Sequence, residues 1–495
     1  MTHFYDLVVL GDDLAGLIAA ALCARRGLRV LIVEAPGQPP DKYTVGPLAL
    51  PRAPLPFVGE SSPAVRRVVA ELNFIQTMKR RLAPWKPPLQ VVLPDARVEV
   101  SGDADAVSRE LQRELPGERA ALEAFFARAA EVSRVIEPIL GQDLMFPPEG
   151  FFERHEVARS ERRLPASDED LLPGVPMGHA ARALCALPAA FLAGTDPRAV
   201  TAPAAARAFD LARRGAARLD GGRDGLRQML LEKLQTQHAG EVMRGQPTGV
   251  VGKWGKVTGV IVEGETIGCQ GLLWAAPFGE LEDLLDKPPK RVLAAQTAMR
   301  ATAARYVLHV VLAEAGVPQG ISPLTLAVID PAGALVGDNA FMVLVGEPDD
   351  DARVVVTVVA NMPTDYGEAT EEQLADLRAR LLRRLEELLP FSLGHVLLVH
   401  SPNEAVRPHG PEAPEARSPA FRPERLWSSS LPSALGVGGL PYEAGLKGVM
   451  VASSQTLPGL GLEGAFAAGW CAARLACALA GRKKDYLKDE ILAGT

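Results

Sequence analysis

The chain has 495 residues, of which 47% are apolar and 23% charged. That balance fits a folded chain of two or three domains and excludes a disordered, collagenous or multi-span membrane protein. Lysine plus arginine number 53 against 60 aspartates and glutamates, a net charge of −7, so no overall field draws nucleic acid.

Residues 5–10 form a short apolar run that reads as a buried parallel strand, stopped by Gly11. An Ala- and Leu-rich helix follows over 14–26 with Gly27 as its end cap, then a second strand over 29–33 that ends on Glu34. This is a βαβ opening of about 30 residues. Residues 35–60 are rich in Pro and Gly and show no period. Helices are expected over 62–82, 104–113 and 117–137, the last broken by Pro138. Residues 141–175 read as loop and 179–193 as helix. Gly221-Gly222 precede a helix over 225–237, and 240–276 reads as short strands, clearest at 257–262 and 271–275. Strands are expected over 305–313 and 352–361. Thr370-Glu371-Glu372-Gln373 is a capping box opening a helix with Leu374, Leu377, Leu381, Leu385 and Leu388 on one face. A strand over 391–400, a loop over 401–445, a strand over 449–452 and a helix over 464–480 complete the chain. The alternation of strands and helices argues for an α/β class with mixed β insertions.

Three segments bear on function. Gly11-Asp12-Asp13-Leu14-Ala15-Gly16 sits between strand and helix, where a dinucleotide fold places three glycines for the turn, the pyrophosphate and the helix packing. The first and third are present, and Asp13 stands at the second. Glu34, 23 residues after Gly11, lies where an acid would accept from a ribose. At the other end, Val449-Met450-Val451-Ala452-Ser453-Ser454 leads through Pro458-Gly459-Leu460-Gly461-Leu462-Glu463-Gly464-Ala465 into a helix whose free N–H groups suit an anion or electron-rich ring atoms. A plain loop before a packed helix is the alternative. Between them, Gly221-Gly222-Arg223-Asp224-Gly225 with its helix and the strands after it carries no chemistry taken alone.

Together the three segments resemble, in order and separation, the FAD-dependent oxidoreductase superfamily of phytoene desaturases, protoporphyrinogen oxidases and flavin amine oxidases. The phytoene desaturase branch is the nearest in general architecture. The resemblance covers about a third of the chain. It implies a two-domain α/β protein with an FAD/NAD(P)-binding Rossmann-like fold and an inserted mixed-sheet and helical domain. Residues 1–60, 211–280 and 430–481 would form the dinucleotide-binding domain, 61–210 and 281–429 a substrate or partner domain, and 482–495 a tail. The cofactor-binding residues carried over are Gly11, Asp13, Leu14, Ala15, Gly16, Glu34, Ser454, Gly461, Leu462, Gly464 and Ala465. The departures from the family fall at the cofactor. Asp13 replaces a glycine, Ser453-Ser454 replace a Gly-Asp pair, and Ala35-Pro36-Gly37-Gln38-Pro39-Pro40 replace a Gly-Gly-cation phosphate element. A carboxylate near a phosphate, a lost charged contact and a lost acceptor together cost roughly 3.5–8 kcal/mol if they add. A nanomolar site would then fall to between micromolar affinity and almost none.

Other features are read more plainly. Cys23, Cys185, Cys269, Cys471 and Cys477 are scattered and odd in number, as buried reduced thiols of a cytoplasmic protein are, and no metal site is expected. His309 reads as a hydrogen-bonded core histidine, and His395 and His400, five apart on one expected strand, face opposite sides. Residues 120–140 form an amphipathic stretch, read as core with a lipid-facing role as the alternative. Arg482-Lys483-Lys484 cap the last helix or mark a membrane-surface patch. With no leader and no run of 18 uncharged apolar residues, no signal peptide or spanning helix is expected, and peripheral membrane contact stays open.

The resemblance implies an FAD-dependent oxidoreductase that moves a hydride from an apolar or lipid-like substrate to the flavin. Catalytic residues cannot be named from the sequence. The alternative is a cofactor-free binding protein that keeps the flavoprotein fold, as GDP dissociation inhibitors and Rab escort proteins do. A different nucleotide such as NAD is the third.

Overall fold

The computed structural model describes residues 4–36, 41–237, 240–285, 288–363, 369–414 and 420–482. Its first sheet is built on strand Phe4–Leu10, which pairs in parallel with Val30–Glu34 on one side and Glu265–Trp274 on the other. Gly240–Arg244 extends the sheet beyond Val30–Glu34, also in parallel. On the far side, the carboxyl half of Glu265–Trp274 pairs in parallel with Val449–Val451, and its amino half meets the hairpin Pro247–Lys253/Lys256–Val262. The strands expected over 5–10, 29–33 and 449–452 all lie in this sheet. Glu265–Trp274, however, separates the last of them from the first. Leu10, Val33, Trp274 and Val451 end at one level, so the turns that follow gather at one edge, where α/β sheets bind ligands.

Helix Leu14–Arg25 is buried from Leu14 to Ala24 and lies against helix Gly461–Leu479. Gly469 lets the two approach, since a Cβ there would meet Ile18 and the Ala15 carbonyl. By length and composition the segment Pro458–Leu479 could cross a membrane. Most of it is instead buried inside the protein.

The second sheet is mixed and runs Val396–His400, Met299–Ala313, Arg353–Pro363, Ala340–Val345, Leu324–Val328, Leu89–Leu93 and Ala96–Val100, with Glu424–Ser429 pairing the amino half of Met299–Ala313. Helix Glu371–Leu388 covers one face with Leu374, Leu377, Leu381, Leu385 and Leu388, and its capping box is formed as expected. His309 is fully buried on the long central strand; its Nδ1 lies 3.0 Å from the Thr357 hydroxyl and its Nε2 2.8 Å from the Pro51 carbonyl. It is the core histidine that its apolar strand implied.

Several local expectations are corrected. Residues 35–60 contain the hairpin Lys42–Val45/Leu48–Pro51 and strand Phe57–Val58. The 62–82 segment splits into Pro63–Glu71 and Ile75–Arg81, because Asn73 turns left-handed at φ 57°. Helix Arg119–Gly141 runs through Pro138, since the ladder resumes with Gln142 donating to the Pro138 carbonyl. Leu122, Phe125, Val132, Val135, Ile136 and Leu140 on that helix are buried, as core packing requires. Helices Phe151–Glu161 and Ala202–Arg214 were not anticipated. His395 belongs to the short turn Ser392–His395 and not to the strand, so it and His400 are not opposed across one strand. The five cysteines are unbridged and buried. Residues 37–40, and 483–495 of the tail, lie outside the described residues.

Candidate functional site

The turn after the first strand is shaped by two glycines. Gly11 takes φ 101°, where an L side chain is strained, and a Cβ on Gly16 would overlap Ala275 on the neighbouring strand. Both positions are therefore required by packing of the first turn on the 275 segment, whatever the ligand. Asp13 caps the helix: its Oδ1 accepts from the Ala15 amide at 3.2 Å, and its own amide donates to the Ala275 carbonyl at 2.9 Å. Its other oxygen, Oδ2, accepts from the Ser454 amide at 2.9 Å. One carboxylate thus joins the N-terminal and C-terminal motifs. Burial pushes the Asp13 carboxyl above its ordinary range, with the Ser454 amide and Arg223 opposing.

A cleft of about 790 Å³ opens at the carboxyl ends of the first sheet's strands, within the range of sites that enclose a small molecule. Asp12, Asp13, Leu14, Ser453 and Ser454 line it, as do Gly461, Leu462, Gly464 and Ala465. The helix that starts at Gly461 carries no side-chain cap, so its first-turn N–H groups are left for a ligand. Val307, Met342 and Val359 of the second sheet, with Phe191, Leu192 and Phe421, give the cleft an apolar region. Gly11, Ala15, Gly16 and Glu34 do not line it. Glu34 instead is ion-paired with Arg227, with Arg244 at 4.0 Å, and its side chain is 11% exposed.

Cations missing from the sequence motifs arrive from elsewhere in the chain. The Lys42–Val45/Leu48–Pro51 hairpin brings Asp41 and Arg52 together at its base, where the Arg52 amide donates to the Asp41 carbonyl at 2.9 Å. Arg223, on the segment that seemed chemically silent, lies 3.8 Å from Asp41 and 3.5 Å from Glu424. Arg305 holds Glu424 at 3.0 Å and donates to the Phe191 and Ala193 carbonyls. Arg52, Arg223 and Arg305 all line the cleft. Burial, reinforced by Arg223, lowers the Arg52 pKa. Burial pushes Glu424 up, but Arg305, Arg223 and Arg52 outweigh it and hold the carboxyl below its usual range. The buried Nε atoms of Arg52 and Arg305 have no hydrogen-bond partner among the described residues. Spacing could not reveal these residues, since a hairpin and a distant strand deliver them.

Arg52, Arg223 and the uncapped Gly461 turn are the groups here that could hold a flavin ring and an adjoining phosphate. The second phosphate of a dinucleotide fits less well, because the Asp13 carboxylate already holds the Ala15 and Ser454 amides. No group of His, Cys, Asp and Glu among the described residues could hold a metal ion.

No protein family and no curated protein sequence matches the chain. Solved structures do. Putrescine oxidase bound to putrescine aligns over 97% of this chain and 100% of its own at 15% identity, TM-score 0.59. Cyclohexylamine oxidase from Brevibacterium oxydans aligns over 96% and 99% at 14% identity, TM-score 0.56. An oxidoreductase from Methanosarcina mazei aligns over 94% and 98% at 13% identity, TM-score 0.54. The likeness is one of fold: mixed α/β, with the two-domain architecture of the flavin amine oxidases.

Proposed function

We propose that the chain is a flavin-dependent oxidoreductase acting on an apolar substrate. The observation that carries this reading is the cleft itself, in which an uncapped helix N-terminus at Gly461 shares one space with the apolar residues Val307, Met342 and Val359. A bound flavin supplies the acceptor for a hydride leaving the substrate. The first turn from Gly461 favours negative charge on the reduced ring. Phe191, Leu192 and Phe421 hold the substrate's apolar part and exclude water. Among the described residues lining the cleft there is no His, Lys, Tyr or Cys, and the side chains there that could take a proton are Asp12, Asp13, Glu280 and Glu424. The absorbance spectrum of the purified protein, before and after incubation with excess flavin, tests the reading. A flavin spectrum that stays with the protein on gel filtration is expected, and its absence in both samples would refute it.

A second reading, a cofactor-free binding protein on the same fold, is favoured by the Asp13 carboxylate that spans the Ala15 and Ser454 amides. It predicts binding of an apolar fluorescent ligand with no flavin retained.

A further inference from the structure

We infer that Asp13 occupies the place of a phosphate, and that the cleft takes a flavin with a single terminal phosphate in preference to the dinucleotide. The inference rests on the flavin reading above and specifies which flavin. Four observations carry it.

The Asp13 carboxylate bridges one amide from each end of the chain, Ala15 at 3.2 Å and Ser454 at 2.9 Å. A pyrophosphate lying across the first helix's N-terminus would need such amides, and they already hold an anion. Asp13 cannot swing away at no cost, because the Ala15 and Ser454 amides would lose their acceptor. Asp12 and Asp13 line the cleft and Glu34 does not. The side chain of Glu34 is bound by Arg227, and Asp41 lies within ion-pair distance of Arg52, Arg223 and Arg227. A dinucleotide would have to displace the Asp13 carboxylate and bring a second phosphate up to a carboxylate. A mononucleotide needs neither. Its one phosphate has the guanidinium groups of Arg52 and Arg223, which both line the cleft.

The experiment is equilibrium titration of the full chain with riboflavin, FMN and FAD, read by quenching of flavin fluorescence. FMN is expected to bind at least about fivefold more tightly than FAD, since a carboxylate near a second phosphate is worth at least that factor. Riboflavin is expected to bind more weakly than FMN. Asp13→Gly should raise FAD affinity about fivefold or more and raise FMN affinity less, narrowing the gap between the two. Asp13→Asn, which keeps an acceptor for the helix, serves if the glycine variant does not fold. FAD binding as tightly as FMN in the unmodified protein, or an unchanged FMN-to-FAD ratio in a folded Asp13 variant, overturns the inference while leaving the flavin reading standing. Failure of all three flavins to bind overturns both.

Discussion

Arg207 and Glu463 face each other through two hydrogen bonds, of 3.0 and 2.6 Å, with neither side chain reaching solvent. Arg207 comes from helix Ala202–Arg214, Glu463 from the first turn of helix Gly461–Leu479, and Glu137 adds a third charge 2.8 Å from Arg207. Burial alone would lower the Arg207 pKa; Glu463 and Glu137 outweigh it and raise it. The pair thus fixes the helix terminus that lines the cleft. Removing one partner strands a buried charge, so Arg207→Met should cost about 3–5 kcal/mol in urea unfolding. The double variant Arg207→Met/Glu463→Leu should cost less than either single one. Equal or additive losses would contradict a buried pair.

Gly16 and Ala275 offer a size-compensation test. Gly16→Ala places a methyl against the Ala275 side chain and should destabilise by about 1–3 kcal/mol. Ala275→Gly in the same chain should recover most of the loss. Thermal unfolding of the three variants decides it, and a double variant no more stable than Gly16→Ala would show that the contact is not the cause.

His309 makes stability depend on pH. Burial lowers its pKa from 6.5 to about 3, and His400 is lowered by burial to about 4. Above 6.5 both rings are neutral in folded and unfolded chains, and their contribution is fully present. As pH falls from 6.5 toward these lower values, the unfolded chain binds protons that the folded one does not. Stability should therefore fall, by up to about 1.4 kcal/mol per pH unit for each ring. Denaturant unfolding at about pH 7 and about pH 4.5 measures the slope, and His309→Gln should flatten it.

Thr370 caps helix Glu371–Leu388 by accepting from the Gln373 amide at 3.2 Å, and the Gln373 side chain accepts from the Thr370 amide at 2.9 Å. Thr370→Ala should cost about 1 kcal/mol, read from the urea midpoint at constant m-value.

That capping box was legible because its causes are local: residue types three apart fix the helix start, and leucines three and four apart fix its buried face. The opening βαβ unit was legible for the same reason, with Gly11 at a turn only glycine tolerates easily. Pro138 misled, because one missing N–H near a helix end is too small a loss to break a helix packed along its length. The hairpin over 42–51 was hidden by its Pro- and Gly-rich surroundings.

What the sequence by itself determined is the sheet that collects both motifs and the class of fold, since short-range pattern and motif order specify how each strand hands on to its helix. It also marked Asp13 as the unusual residue. Only the tertiary structure decided what Asp13 does. The Ser454 amide that completes its coordination lies 441 residues away in the chain, and no spacing rule connects them. Arg52, Arg223 and Arg305 were likewise ordinary charges until a hairpin, a helix start and a strand of another sheet brought them to one cleft. A charge acts through distance in space, and sequence records distance only along the chain.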